Sequence, residues 1–217
     1  MKCLTSDLTL ETQQPLTEHP EKLRGFIASG NIEENIYHQH GKDGLRYRYP
    51  LIHYHIFEGK AVITGWLEGV EETKKLFKKL DHLHIGETDY IIIGKKLRIT
   101  EQEYGISEEP IRYGFVFPWL ALNNKNHTKY MSLRGESRLK FLENILTGNI
   151  LSASKSLNYT VEGDIKARMV YARQIQSQLK GTSLIAFQGA FTVNFKLPEL
   201  FGLGKSVSRG FGAVKRI

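Results

Sequence analysis

The sequence predicts an α+β protein built from two βαββαβ units in tandem, of the ferredoxin-like, RRM-like kind. Three observations predict it. Two-residue and helical apolar spacings follow one another as strand, helix, hairpin, helix, strand through the first half. A comparable succession restarts beyond Pro110. No low-complexity linker separates the two.

Each element has a local cause. Leu4, Leu8 and Leu10 fall on one parity and mark a strand over Cys3 to Leu10. Pro20 suits the opening of a helix whose apolar stripe is Leu23, Phe26 and Ile27, and Gly30 with Asn31 suits its end. Pro50 to Phe57 and Lys60 to Trp66 flank Glu58-Gly59, a hairpin signal with glycine at the permissive turn position. Val70, Thr73, Leu76, Phe77 and Leu80 recur at helical spacing, and Tyr90 to Ile93 with Leu97 and Ile99 returns to strand.

The second unit starts with a strand at Ile111 to Phe117, then a helix marked by Leu139, Leu142, Ile145 and Leu146. Strands over Asp164 to Gln174 and Leu184 to Phe195 follow, then a short helix near Pro198 to Phe201 and a last strand at Gly212 to Ile217. The expected domains are therefore 1–107 and 108–217, joined near Gly105 to Pro110.

At 217 residues and 41% hydrophobic content the chain is long and apolar enough to bury a sizeable core. No apolar run approaches 18 residues and the first residues lack a signal-peptide core, so a soluble, cytoplasmic protein is expected. The single cysteine, Cys3, fits a reducing compartment and argues against redox chemistry. Charge divides the halves. Residues 1–109 hold 14 Lys and Arg against 18 Asp and Glu, a net −4, whereas residues 110–217 hold 16 against 5, a net +11. A field of that sign attracts nucleic-acid phosphate first and anionic membrane second, and no basic amphipathic helix with aromatic anchors supports the membrane.

Residues 202–212 read Gly-Leu-Gly-Lys-Ser-Val-Ser-Arg-Gly-Phe-Gly. A Walker A loop ending in Gly204-Lys205-Ser206 would need glycine at 199, which is Glu199, and a dinucleotide loop would need it at 207, which is Val207. With both excluded, Gly202, Gly204, Gly210 and Gly212 offer close backbone approach, and Lys205, Ser206, Ser208 and Arg209 offer donors to an RNA backbone. A plain glycine-rich turn between strands explains the glycines but not the cations among them.

Three His-X-His pairs raise the question of metal. No second cysteine and no obvious carboxylate completes any of them, so no metal or other cofactor is expected. His53 and His55 sit on a strand and are expected to be sheet-face or inter-unit residues, while His82 and His84 follow a helix end, where a capping role is expected. His38 and His40 differ, because they occupy a polar stretch between helix and hairpin, the kind of loop that carries chemistry on a rigid scaffold. RNA supplies its own nucleophile, the 2′-hydroxyl. A ribonuclease then needs a base, an acid and a cation, roles open to His38 and His40, to Tyr47 as donor or positioning group, and to Lys42 or Arg46 as the cation, while Arg46 and Arg48 are expected to hold RNA.

These residues carry a resemblance. Tyr37-His38-Gln39-His40, Arg46-Tyr47-Arg48-Tyr49-Pro50-Leu51-Ile52, Gly59-Lys60, Glu68-Gly69 and the segment from Gly202 to Gly212 together resemble the CRISPR-associated endoribonucleases of the RAMP superfamily that cut repeat-spacer transcripts into guide RNAs. The resemblance spans nearly the whole chain. It implies two ferredoxin-like domains and metal-independent cleavage within each repeat, leaving a 2′,3′-cyclic phosphate and a 5′-hydroxyl. It maps the catalytic histidine to His40 or His38, with His40 preferred and Tyr47 as helper, and leaves open which acts as base. Relatives often have Gln and Lys after the Pro-Leu-Ile run, where this chain has His53 and His55, so Lys42 or Lys60 would have to substitute. CRISPR repeat RNA is the implied partner, with a CRISPR effector complex or a second copy of the chain as further ones. The rival within the superfamily is a guide-RNA-binding subunit that does not cut.

Overall fold

A computed structural model of the chain describes residues 1–29 and 49–217. The elements are β1 (Lys2–Thr12), α1 (Pro20–Ser29), β2 (Ile52–Phe57), β3 (Lys60–Trp66), α2 (Gly69–Lys79), β4 (His82–Ile85), β5 (Thr88–Glu103), β6 (Gly105–Phe115), α3 (Asn124–Ser132), α4 (Glu136–Ser156), β7 (Ala167–Leu179), β8 (Thr182–Lys196) and β9 (Val214–Arg216). They form two compact units. One comprises Leu4–Glu101 with Ser208–Gly210; the other comprises Met1–Cys3, Gln102–Val207 and Phe211–Ile217.

In the first unit the sheet order is β2-β3-β1-β5-β4, a ferredoxin-like sheet extended at one edge by β4. Alternation along the strands decides what each face does. Leu8 and Leu10 of β1, Tyr54 of β2 and Ile63 of β3 pack with Leu23 and Ile27 of α1 and Leu76 of α2 in one buried core. Each such side chain contributes about 1.5–3 kcal/mol by leaving water. The opposite parity of β2 carries His53 and His55, both fully buried. His82 and His84 lie on β4 rather than at a helix cap: α2 ends at Lys79 with Leu80 as its cap, and Leu83 and Ile85 alternate inward between exposed histidines. His84 Nδ1 sits 2.7 Å from the Asp89 carboxylate, and the His82 ring meets Phe26 edge-on.

The second unit has the order β7-β8-β6-β9, again ferredoxin-like. Three features differ from expectation. First, β6 begins at Gly105 rather than Ile111, with its register on β8 shifting between Ile106 and Ile111; Pro110 has no N–H for the ladder and falls at that irregularity. Second, α3 was not foreseen, because only Tyr130 of its nine residues is buried and it shows no apolar stripe. Its start is fixed by Asn123, whose side chain accepts the Asn126 N–H at 2.8 Å. Third, the short helix expected at Pro198 to Phe201 is a turn closed by the Phe201 N–H to the Pro198 carbonyl at 3.1 Å. The one helical turn nearby spans Val207–Arg209. The 21-residue α4 buries Leu142, Leu146 and Ile150, and β8 buries Phe187, Phe191 and Phe195.

Among the described residues no helix is long and apolar enough to cross a membrane, and no group of three or more His, Cys, Asp or Glu is placed to hold a metal.

Candidate nucleic-acid interface

Six predicted site residues, His38, His40, Lys42, Arg46, Tyr47 and Arg48, lie outside the described residues. What the structure does show is the anchor on their C-terminal side. The His53 ring nitrogen Nε2 is 3.0 Å from the Pro50 carbonyl, and the Tyr49 ring meets the His53 ring edge-on. Leu51 is held one residue further on: its carbonyl accepts the Trp66 N–H at 2.9 Å, and Gly69 packs so closely on that carbonyl that any side chain there would collide with it.

Burial pushes the pKa of His53 down to about 3, with the neighbouring His55 a lesser cause, and burial does the same to His55. His53 is therefore neutral at ordinary pH. Because a carbonyl only accepts, its single ring proton is on Nε2, donated to Pro50. His53 thus ties β2 to Pro50, two residues before the strand begins. Lys60, the other substitute for a lysine from this strand, is paired with Glu11 at 2.5 Å at the exposed end of the hairpin.

The glycine-rich segment is a folded loop whose limbs pair with one another. Leu203 donates to the Gly212 carbonyl at 2.9 Å, Val214 to that of Phe201 at 3.0 Å, and Gly202 bridges Ala213. Two glycines are demanded by geometry. Gly212 has φ +69°, and a β-carbon there would overlap the Leu203 carbonyl. Gly204 has φ +91°, and a β-carbon would come 2.7 Å from the Trp119 Nε1 and 2.8 Å from the Leu120 carbonyl. Gly202, Gly210, Phe211 and Gly212 are buried, whereas Lys205 is exposed and Ser206, Ser208 and Arg209 are half-buried. Within the first unit, Gly210 lies against Pro20, the first residue of α1: a β-carbon there would be 2.7 Å from the proline ring. Gly204 and Gly212 thus shape the backbone on either side of these donors.

The charge excess of the C-terminal half is partly consumed in building it. The Arg134 guanidinium donates to the carbonyls of Met131 and Leu133, closing the end of α3, and Arg138 donates to Leu133 while stacking over Tyr130. Arg168 and Lys140 flank the buried carboxylate of Glu143. Exposed cations also include Lys166, Arg173, Lys215 and Arg216.

Two family models match the chain end to end, the Cas6b N-terminal domain over residues 1–103 and the Cas6b C-terminal domain over residues 105–217. A crystal structure of Cas6b is similar over 100% of both chains, with a TM-score of 0.89 and 31% identity. A CRISPR RNA processing endoribonuclease Cas6b is likewise similar over 100% of both chains, with a TM-score of 0.79 and 27% identity. An uncharacterised protein of Methanocaldococcus jannaschii is 41% identical over 128 residues, which is 59% of this chain and 87% of that one. With a domain model matched in each half, this chain belongs to the Cas6b family.

Proposed function

We propose that this protein is a metal-independent endoribonuclease that cuts CRISPR precursor RNA within its repeats to give guide RNAs. The observation that carries the reading is the likeness over the full length to Cas6b structures, one of them a CRISPR RNA processing endoribonuclease. The residues supply a consistent chemistry. One histidine of the His38/His40 pair removes the 2′-hydroxyl proton, and the freed oxygen attacks the adjacent phosphorus. The bond to the 5′-oxygen breaks, the other histidine delivers a proton to that oxygen, and the products are a 2′,3′-cyclic phosphate and a 5′-hydroxyl. Tyr47 orients the scissile phosphate, and Lys42 offsets the charge that builds on its oxygens. Arg46 and Arg48, together with Lys205, Ser206, Ser208 and Arg209, hold the RNA backbone. Gly202, Gly204, Gly210 and Gly212 give the loop its shape.

The test is incubation of the protein with its cognate repeat RNA in EDTA. Cutting is expected to persist in EDTA, to fall at least 100-fold in His40→Ala or His38→Ala while binding is retained, and to stop when the scissile nucleotide is 2′-deoxy. Binding without any cutting by the native protein would reassign it as a guide-RNA-binding subunit, and activity abolished by EDTA would overturn metal independence.

A further inference from the structure

We propose that the second unit contains a pocket for a single unstacked nucleotide of the bound RNA, with the base against an apolar wall and the phosphate at Lys205. The proposal rests on the RNA-processing reading above and adds to it a place where one residue of the RNA is read.

The pocket is a cleft of about 180 Å³. That is below the roughly 300–1,000 Å³ of sites that enclose whole small-molecule ligands, and it suits one flat ring system. Its wall is apolar, formed by Leu120, Leu184 and Ile185, and its rim carries His127, Lys205 and Ser206. Among the described residues no carboxylate lines it. This is the composition that a flipped-out nucleotide requires: apolar side chains against the faces of the base, an imidazole able to stack or donate at its edge, and an ammonium for the phosphate.

The pocket is built rather than incidental. Leu120 sits in a small buried cluster with Ala186 and Phe211, against which Leu179 and Leu184 also pack, so the wall is fixed from behind. The preceding residue, Trp119, exchanges backbone hydrogen bonds with Phe187 at 2.8 and 2.9 Å, tying this stretch to β8. The rim is tied to the same stretch, because the Lys205 N–H donates to the Leu120 carbonyl at 3.1 Å, an approach that the absence of a side chain at Gly204 permits. Ser206, at φ +56°, then turns the chain away. The opposite rim is the first turn of α3, where His127 donates its backbone N–H to the Asn123 carbonyl at 2.8 Å. Cation, imidazole and apolar wall therefore come from three separate stretches of chain held in fixed relation.

An abasic scan of the repeat RNA tests this. Each nucleotide of the repeat from the organism's own CRISPR array is replaced singly by an abasic one, and affinity is measured for the native protein, Lys205→Ala and Ile185→Phe, the last of which fills the cleft. In the native protein one position is expected to lose at least tenfold in affinity when its base is removed. In Ile185→Phe that same position is expected to lose less than twofold, while every other penalty is unchanged. Lys205→Ala is expected to weaken binding and to reduce the slope of log affinity against log salt by about one. Should Ile185→Phe fail to fold, His127→Ala, on the exposed rim, reads the same cycle. If the native protein binds and cuts the repeat but no base penalty differs between it and the variants, the pocket is overturned while the nuclease reading stands. If it neither binds nor cuts, both fall together.

Discussion

Lowering the pH from 7.5 to 5.5 should destabilise the first unit through its buried histidine pair, by an amount that can be worked out in advance. His53 and His55 have folded pKa values of about 3 against an ordinary value of 6.5, and burial is the principal cause for both. When the folded-state pKa of a histidine is depressed, the unfolded chain binds protons that the folded chain refuses. Stability is then fully present above pH 6.5 and declines as the pH falls towards 3. The slope over that window is about 1.4 kcal/mol per pH unit for each histidine. Between pH 7.5 and 5.5 the pair therefore removes about 3 kcal/mol, a sizeable part of the roughly 5–15 kcal/mol that holds a domain folded. Because pH 5.5 lies well above 3, the result depends on the unfolded pKa and not on the depth of the folded shift. Trp66, whose ring is 5.7 Å from that of His53, reports locally. Urea unfolding followed by its fluorescence in a Trp119→Phe background, at half-unit pH steps, measures the slope. His53→Gln and His55→Gln should each flatten it by about half, whatever their effect on stability at pH 7.5. A native slope that survives both substitutions, or a native protein equally stable at the two pH values, would refute the assignment.

Three further outcomes follow from the packing. Gly212→Ala forces a side chain onto the Leu203 carbonyl at a positive φ, and should cost roughly 2–5 kcal/mol in urea unfolding, or prevent folding. Tyr104→Phe removes the buried hydroxyl that lies 2.8 Å from the Ser154 hydroxyl, which itself bonds the Ile150 carbonyl, and should cost about 1 kcal/mol. Burial pushes the Tyr104 phenol well above the ordinary tyrosine range, so ultraviolet titration should find one fewer late-titrating tyrosine in that variant. Glu143→Gln weakens the carboxylate that accepts the Met169 N–H at 3.1 Å, next to the β7 register shift between Met169 and Tyr171, and should cost about 1–2 kcal/mol by urea unfolding.

Where the sequence was legible, the determining physics was local. Leu4, Leu8 and Leu10, or the Glu58-Gly59 turn, need only their own neighbours to declare a strand or a hairpin, and the ferredoxin-like plan of both units followed from such signals. Where it was not, something distant decided. Helix α3 is polar along most of its length and is fixed by one cap and one buried tyrosine. Strand β4 is four residues long, and its histidines lie after a helix end in sequence but on a sheet edge in space. The extension of β6 back to Gly105 passes through Pro110, a residue that in sequence reads as a boundary.

The glycine-rich segment shows both situations at once. Its cations and hydroxyls were visible as groups suited to phosphate, because their chemistry is their own. The reason for its glycines was not, because Gly204 answers to Trp119 and Leu120, more than eighty residues earlier, and Gly212 answers to Leu203 across the loop. The same separation hid His127 and Ile185, neither of which carries any mark in sequence that would place it beside Lys205. On the proposed reading, a loop whose glycines serve packing presents Lys205 and Ser206 to RNA from a fixed backbone, which holds one RNA geometry better than a mobile one because less ordering entropy is lost on binding. In that reading the close packing of Gly204 and Gly212 and the Lys205 and Ser206 donors beside Gly204 are two parts of one device.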